Sequence, residues 1–428
     1  MRATATEAMD MDIRLQPNRR WRSALPLRIR SMLLLATAAV ILISVVSSAA
    51  AGGGPCKKTT DASFYFIQLS DPQFGLEHSN VEWAAERAML NRSIHLINAL
   101  APRFVVATGD LQNYLPTNSG SGEPGVEQAQ QVQEVLMRLD DGIPLRAIVP
   151  GNHDIGYAPT VQTLNHYEQR WGADRGTFDE GGVRFVAVDS QLYFNASQPG
   201  VQVRADAQTA WLSATLDAAA SDHAVAAVVL ITHIPPFLND AHEETGWANW
   251  PRAVREQVLS MTQGGGEGGQ GGPPRLAPSL VINGHVHANV VSERTTAFGA
   301  PLEVVTSSSV GCPIRFNGSA ARELPPALAR AVAAQPTGHE LFVNYVLRDG
   351  GVGEEDPERV AERVAARPDR SGVRLFEVDR TAGYRHRWYT LEELEQLAAP
   401  VGAGSGGGKG MRGSSSSPLA DLPFTGWR

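Results

Sequence analysis

Short apolar runs of strand length alternate with longer stretches of helical period from Phe64 to Tyr389, and this alternation limits the chain to an α/β fold. Residues 64–69, 104–107, 146–149, 183–188, 225–231, 280–282, 302–305, 373–378 and 385–389 are predicted strands. Residues 81–100, 126–139, 160–171, 206–220 and 250–261 are predicted helices, and in the first of them Leu90, Ile94 and Ile97 fall on one face. Ligands in such folds gather beyond the carboxyl ends of the strands, so the residues that follow each run are where chemistry is to be sought.

Five strand ends carry it. Asp71 follows the first run in Ser70-Asp71-Pro72-Gln73, and Asp110 follows the second in Gly109-Asp110. Gly151-Asn152-His153-Asp154 follows the third, His233 follows 225–231, and Gly284-His285-Val286-His287 follows 280–282. One histidine after a strand is ordinarily a satisfied surface or core residue, and Asn-His-Asp after a strand is ordinarily a polar turn. Five strands that bring carboxylate, amide and imidazole to one edge of a sheet are hard to account for in that way. Oxygen and imidazole donors without thiolate suit Mn²⁺, Fe or Zn²⁺. They are enough for two ions about 3.5–4 Å apart, an arrangement that clamps the attacking and leaving oxygens of an in-line displacement. Two divalent ions bring four positive charges, Asp71 and Asp110 remove two, and a bridging hydroxide removes one more. The site stays positive and attracts phosphate, although the whole chain carries a formal net charge of −8.

Composition excludes other classes. An acidic balance gives no electrostatic footprint for nucleic acid. Two cysteines, Cys56 and Cys312, rule out a disulfide framework and a Cys-rich zinc module, leaving room for one bridge. The glycines of 264–272 lack the strand–helix setting and lysine of a phosphate-cradling loop. His242-Glu243-Glu244 is not a His-Glu-x-x-His zinc motif and is expected in a solvated loop, with Asp240 to Trp250, including Trp247, as a rim facing substrate.

With 428 residues, 43% of them apolar, the chain can bury a sizeable core. Residues 1–54 carry seven arginines before an apolar run from Met32 and the small residues of 47–54, a pattern of a signal peptide or of a signal-anchor. Either places the catalytic part in the secretory pathway, outside the cytosol, the second with one N-terminal helix in the membrane. Residues 60–398 form the expected domain, with a Gly/Pro-rich flexible loop at 264–278 and an insertion at 319–370 containing helical stretches at 324–334 and 357–366. The Gly/Ser-rich 399–428 tail is expected to be disordered. Of the sequons at Asn91, Asn195 and Asn317, Asn195 lies in the polar Asn-Ala-Ser-Gln-Pro-Gly loop best suited to glycosylation.

The strand-end motifs resemble those of the calcineurin-like metallophosphoesterases: Asp-x-His, Gly-Asp, Gly-Asn-His-Asp/Glu, His and Gly-His-x-His. Ser70-Asp71-Pro72-Gln73-Phe74-Gly75 is similar to the subgroup described as serine/threonine-protein phosphatases, which has Ser-Asp-Pro-Gln in place of Asp-x-His. Residues 151–156, 233–237, 308–312 and 389–394 are similar to that subgroup too, so the resemblance covers 64–318 and 371–394. It implies two mixed β-sheets flanked by helices, a four-layer α/β/β/α sandwich. It further implies that Asp71 and His287 bind the first ion, that Asp110 bridges the two, and that Asn152, His233 and His285 bind the second. His153 would stabilise or protonate the leaving oxygen, with Asp154 orienting its imidazole, and a hydroxide activated by both ions would attack.

Gln73 stands where the wider family has histidine. Its carboxamide is either a ligand of the first ion, shifting preference toward Mn²⁺ or Mg²⁺, or a donor behind the ligands. Purple acid phosphatases need a ligating tyrosine three residues after the Gly-Asp aspartate; here that residue is Asn113, with Tyr114 one place late. The expected activity is hydrolysis of phosphomonoesters, on a phosphoserine/phosphothreonine protein or a small phosphoester. Alternatives are a phosphodiesterase or nucleotide hydrolase on the same site, and a non-catalytic scaffold with this fold.

Overall fold

Side-chain parity along β1 (Ser63–Leu69) sets the layering. Phe64 and Phe66 enter an apolar layer between two sheets, while Ile67 and Leu69 point the other way, into a layer shared with helices. The computed structural model describes residues 63–115, 123–262, 276, 278–295, 301–311, 371–379 and 383–398. The N-terminal segment 1–54, nearly all of the 264–278 loop, the 319–370 insertion with its two expected helices, the 399–428 tail, Asn317 and both cysteines lie outside them. Among the described residues no helix is long and apolar enough to cross a membrane.

The first sheet runs β11 (Gly383–Thr390), β10 (Gly372–Asp379), β1, β2 (Val105–Ala107), β3 (Leu145–Ile148). The second runs β4 (Gly176–Glu180), β5 (Val183–Ala187), β6 (Ala227–Ile231), β7 (Pro278–Asn283), β9 (Pro301–Thr306), β8 (Val290–Thr295). In the first sheet parallel β1–β2–β3 is extended on one side by antiparallel β10 and β11, and in the second parallel β5–β6–β7–β9 is flanked on both sides by antiparallel β4 and β8. Both sheets are therefore mixed, as expected.

Helices α1 (Ala84–Leu100), α2 (Pro124–Leu136), α4 (Val161–Trp171) and α8 (Leu391–Ala398) bury Leu90, Ile94, Val132, Leu164 and Leu394 against the outer face of the first sheet. Helices α6 (Gln202–Ser221) and α7 (Arg252–Thr262) bury Leu212, Leu216 and Val258 against Val186, Leu230 and Val281 of the second. The short α3 (Asn152–Ile155) and α5 (Ser190–Phe194) lie at strand ends. This is the four-layer α/β/β/α sandwich. Local chemistry sets several boundaries: Pro124 occupies the first turn of α2, and the Thr160 hydroxyl accepts from the Thr163 N–H at 3.1 Å to start α4.

Two strands and three helices were not expected from periodicity. β4 is a half-exposed edge strand carrying Thr177 and Asp179, joined to β5 by the Gly181-Gly182 turn, and β8 carries Ser292, Glu293 and Arg294. Edge strands need no apolar run. The helices α3, α5 and α8 are too short for a 3.6-residue period to show.

Phenylalanines fill the layer between the sheets. Phe66 stacks on Phe104 and on Phe376 with ring centroids 4.8 Å apart in both pairs, and Phe185 meets its edge at 5.3 Å. Two residues further along, Gln68 of β1 lies opposite Arg374 of β10, and Thr108 and Ser307 replace apolar side chains beside them. The layer turns polar just beneath the strand ends. Phe66 is fully buried at the centre of the ring stack, so Phe66→Ala should cost about 3–5 kcal/mol, read as a lower midpoint in chemical denaturation with activity retained where the fold persists.

Candidate active site

The carboxyl ends of β1, β2, β3, β6 and β7 converge, and the donors there adopt backbone that L-residues rarely visit. Asp71 (φ 50°), Gln73 (φ 38°), Asp110 (φ 48°), His285 (φ 77°) and His287 (φ 51°) all lie in left-handed conformation. Each strand thus breaks sharply at its end and turns its side chain inward. Close approach of the loops needs two residues without a side chain: a Cβ on Gly284 would sit 2.2 Å from Asp71 Oδ2, and one on Gly151 would sit 2.1 Å from Asp110 Oδ1.

Donor atoms of Asp110, His233 and His285 lie within 4.8 Å of one another, as do those of Asp71, Asp110 and His287. Asp110 is common to both groups. The histidine tautomers follow from what faces their other nitrogens, because a backbone carbonyl can only accept. His233 Nδ1–H donates to Thr108 O at 2.7 Å, which leaves Nε2 toward the site. His285 Nε2–H donates to Trp247 O at 2.9 Å, which leaves Nδ1 toward the site. Around His233 Nε2 stand Asn152 Oδ1 at 3.0 Å, His285 Nδ1 at 3.2 Å and Asp110 Oδ2 at 3.3 Å. One proton cannot satisfy four converging lone pairs; a divalent cation can.

The second group has its own signature. His287 Nε2 is 3.5 Å from Asp71 Oδ1, and Asp71 accepts from the His285 backbone N–H and from Ser70 Oγ. Gln73 is 1% exposed; its Nε2 points to Asn113 Oδ1 at 3.4 Å, while its buried Oε1 has no protein partner. An orphaned buried carbonyl oxygen two residues from the Asp71 carboxylate fits a hard cation. Residues and ions therefore fit at both groups.

Electrostatics agree. Burial alone would raise Asp110, but the charges of His233 and His153 outweigh it and hold the carboxylate well below its usual range. Burial pulls His233 down, yet Asp110's charge and hydrogen bond carry it up to about 9, so the carboxylate holds a proton on this imidazole that a bound cation would have to displace. Burial and the neighbouring His233 charge push His285 down to about 3, so this imidazole keeps its lone pair.

His153 differs from the rest in being only half-buried. Its backbone N–H donates to Asp110 Oδ1 at 2.8 Å and its ring Nδ1–H to Asn113 O at 2.8 Å, which anchors the imidazole through Nδ1. Asp154 does not orient that ring, contrary to the sequence expectation. Its carboxylate accepts from Leu111 N at 3.0 Å and Gly151 N at 2.7 Å and so ties the Gly-Asp loop to the Asn-His-Asp loop. Burial and the Asp110 charge push Asp154 up to about 8 against those two donors.

The expected rim is corrected as well. Trp250 is fully buried and donates from Nε1 to Ile234 O at 2.8 Å, whereas Trp247 and Tyr157 meet the His285 ring edge-on at 5.4 Å and 5.8 Å. Glu243 is buried, not solvated: it accepts from Leu238 N, Asn239 N and Asn249 Nδ2 at 2.8, 2.9 and 2.6 Å. Asn195 stands half-buried just past α5, with its Oδ1 accepting from Ser197 N at 3.0 Å, and Asn91 Oδ1 accepts from Arg138 at 2.7 Å. Sequence reasoning noted Asn113 only as standing where a ligating tyrosine is absent, and missed Tyr157, which lies three residues beyond Asp154.

The model of the Calcineurin-like phosphoesterase family matches residues 64–289. The chain is 31% identical over 312 residues to the protein named Serine/threonine-protein phosphatase CPPED1 of Mus musculus, covering 70% of this chain and 90% of that one. It is 32% identical over 317 residues to the Homo sapiens protein of the same name, covering 70% and 91%. A dimetal phosphatase structure from Danio rerio is similar with a TM-score of 0.41 at 14% identity, over 58% of this chain and 88% of that chain. With a family model spanning more than half of its length and relatives covered almost end to end, the chain belongs to the calcineurin-like phosphoesterase family.

Proposed function

We propose that this chain hydrolyses phosphoserine and phosphothreonine monoesters in proteins, with Asp71, Gln73 and His287 holding a first divalent ion, Asn152, His233 and His285 a second, and Asp110 both. The observation that carries the two-ion reading is the convergence of donor atoms of Asn152, His285 and Asp110 at His233 Nε2, together with the unpartnered Gln73 Oε1 in the other group. The name carried by the relatives at 31–32% identity supports the protein substrate. Two divalent ions supply, when bound, a nucleophilic water at neutral pH and charge neutralisation for the phosphoryl oxygens. Gln73 in place of an imidazole favours Mn²⁺ or Mg²⁺ over Zn²⁺ or Fe.

The protein's own side chains do the rest. His153, anchored on Asn113 O through Nδ1–H, would act as an imidazolium that gives its Nε2 proton to the leaving oxygen and is left as the neutral Nδ1–H tautomer. Its backbone N–H fixes the Asp110 carboxylate. Asp154 keeps both loops in register without touching substrate. Trp247 and Tyr157 flank His285, and the His285–Trp247 hydrogen bond couples the rim to the donor set. The arginine-rich segment and apolar run before residue 54 support an address in the secretory pathway, with the catalytic part outside the cytosol.

Activity of the full chain on an aryl phosphate, a bis-aryl phosphate and phosphopeptides should vanish with chelator and return with Mn²⁺. His153→Ala should lower kcat by about 10²–10⁴-fold and Asp110→Asn by at least as much. Diester turnover above monoester turnover would replace the monoesterase reading. Gln73→His should tighten Zn²⁺ binding at the first site by calorimetry; an unchanged affinity would remove Gln73 from the ligands. Expressed in a eukaryotic secretory host, the chain should lose one endoglycosidase-sensitive mobility shift in Asn195→Gln, and no shift in the parent would count against that address.

A further inference from the structure

A buried arginine lies behind the first ion site, beyond the residues matched by the family model. Arg374 of β10 is 3% exposed, faces the layer between the sheets, and lies opposite Gln68 in the register with β1. Its Nε donates to Ser307 Oγ at 2.7 Å, Ser307 Oγ to Gln68 Oε1 at 2.8 Å, and Gln68 Nε2 to Thr108 Oγ1 at 3.0 Å. Thr108 Oγ1 donates to Ser70 Oγ at 2.9 Å, and Ser70 Oγ donates to Asp71 Oδ2. Every proton in this series points away from the guanidinium and toward the carboxylate. A group that only donates stands at one end and a group that only accepts stands at the other, so the series runs in one direction, with Ser70 the nearer of the two acceptors, Ser70 Oγ and Leu69 O, open to the Thr108 hydroxyl.

A second branch leaves the same guanidinium. Arg374 Nη2 donates to Asn289 Oδ1 at 2.7 Å, which also accepts from Ser308 N at 3.2 Å, and Ser308 Oγ donates to His287 O at 3.0 Å. Arg374 Nη1 meets His386 Nδ1 at 3.0 Å, and His386 Nε2 lies 3.4 Å from Glu303 Oε1. Because a guanidinium cannot accept, His386 must present a lone pair at Nδ1 and its N–H to Glu303. Among the described residues, the buried cation is linked to Glu303 through an imidazole and to Asp71 through the series above.

We propose that Arg374 is a positioning residue for the first metal site, fixing the Asp71 carboxylate by one branch and the His287 loop by the other. The proposal rests on the reading of Asp71 and His287 as ligands. It explains why an arginine is needed: three separate acceptors at fixed angles match the planar fork, which a lysine ammonium cannot reproduce. Burial lowers Arg374 to about 9, so its charge survives at neutral pH.

Calorimetric titration of the full chain with Mn²⁺ tests this, the step lost in His287→Ala identifying the first site. Ser307→Ala and Asn289→Ala each cut one branch without removing charge, and Arg374→Lys replaces the fork. Each should weaken the first ion about 10–100-fold and leave the second within a factor of about two. Turnover of Ser307→Ala on an aryl phosphate should recover at saturating Mn²⁺. A merely structural role would lower the melting temperature in chelator and leave both ion affinities unchanged, which would overturn the assignment even if Arg374→Lys fails to fold. A parent chain that takes up two ions while the Ser307 and Asn289 variants match it overturns Arg374 alone. A parent that takes up none overturns the two-ion reading and this proposal with it.

Discussion

Five donors held in left-handed backbone are the constraint on which the rest of the molecule depends. A non-glycine residue in that conformation costs on the order of 1–3 kcal/mol, and it persists only where the surroundings over-determine it. Here Asp71, Gln73, Asp110, His285 and His287 share the condition, each two to four residues past a parallel strand. The surroundings are visible: Asp71 N is held by Gly109 O at 3.2 Å, Gln73 N by Asp110 O at 2.9 Å, and Gly284 N by His233 O at 3.1 Å. The loops of separate strands are thus hydrogen-bonded to one another before any side chain is considered. Two sheets stacked on a shared aromatic layer supply a base stiff enough to carry this.

The layer between the sheets does two jobs along its length. Around Phe66 it is a close-packed aromatic core, and one pleat further it becomes a connected polar network running from Arg374 to Asp71. Low dielectric makes a satisfied network rigid and an unsatisfied one costly. Aromatic packing on one side keeps water out, and the continuous donor-to-acceptor series on the other makes that exclusion tolerable. A metal-dependent phosphoester hydrolase needs its carboxylates placed to within a fraction of an ångström, and this layer provides that placement.

Much of this was legible in the residue order, because the chemistry follows strand ends and strand ends are marked by apolar runs. Asp71, Asp110, Asn152, His233, His285 and His287 could be read as one set, and the four-layer sandwich followed from the family they resemble. What escaped had no local mark. Asp154 sits in the Asn-His-Asp motif, yet its role is decided by the N–H of Leu111, 43 residues earlier. Trp250 and Trp247 are three residues apart and indistinguishable in sequence, but one is a buried strut and the other a rim residue. Arg374 occurs in an ordinary amphipathic strand, and its partners Ser307, Asn289 and His386 come from three other segments. Long-range hydrogen bonds leave no periodic trace.

The donor set described above contains oxygen and imidazole nitrogen but no sulfur. Thiolate sites are disabled by oxidation to sulfenic acid or disulfide, and their occupancy follows the redox poise of the compartment. Carboxylate, carboxamide and imidazole have no such chemistry. With a redox-inert ion such as Mg²⁺, this centre would work alike in an oxidising lumen and a reducing cytosol, so its activity would be controlled by ion supply and pH rather than by the thiol balance around it.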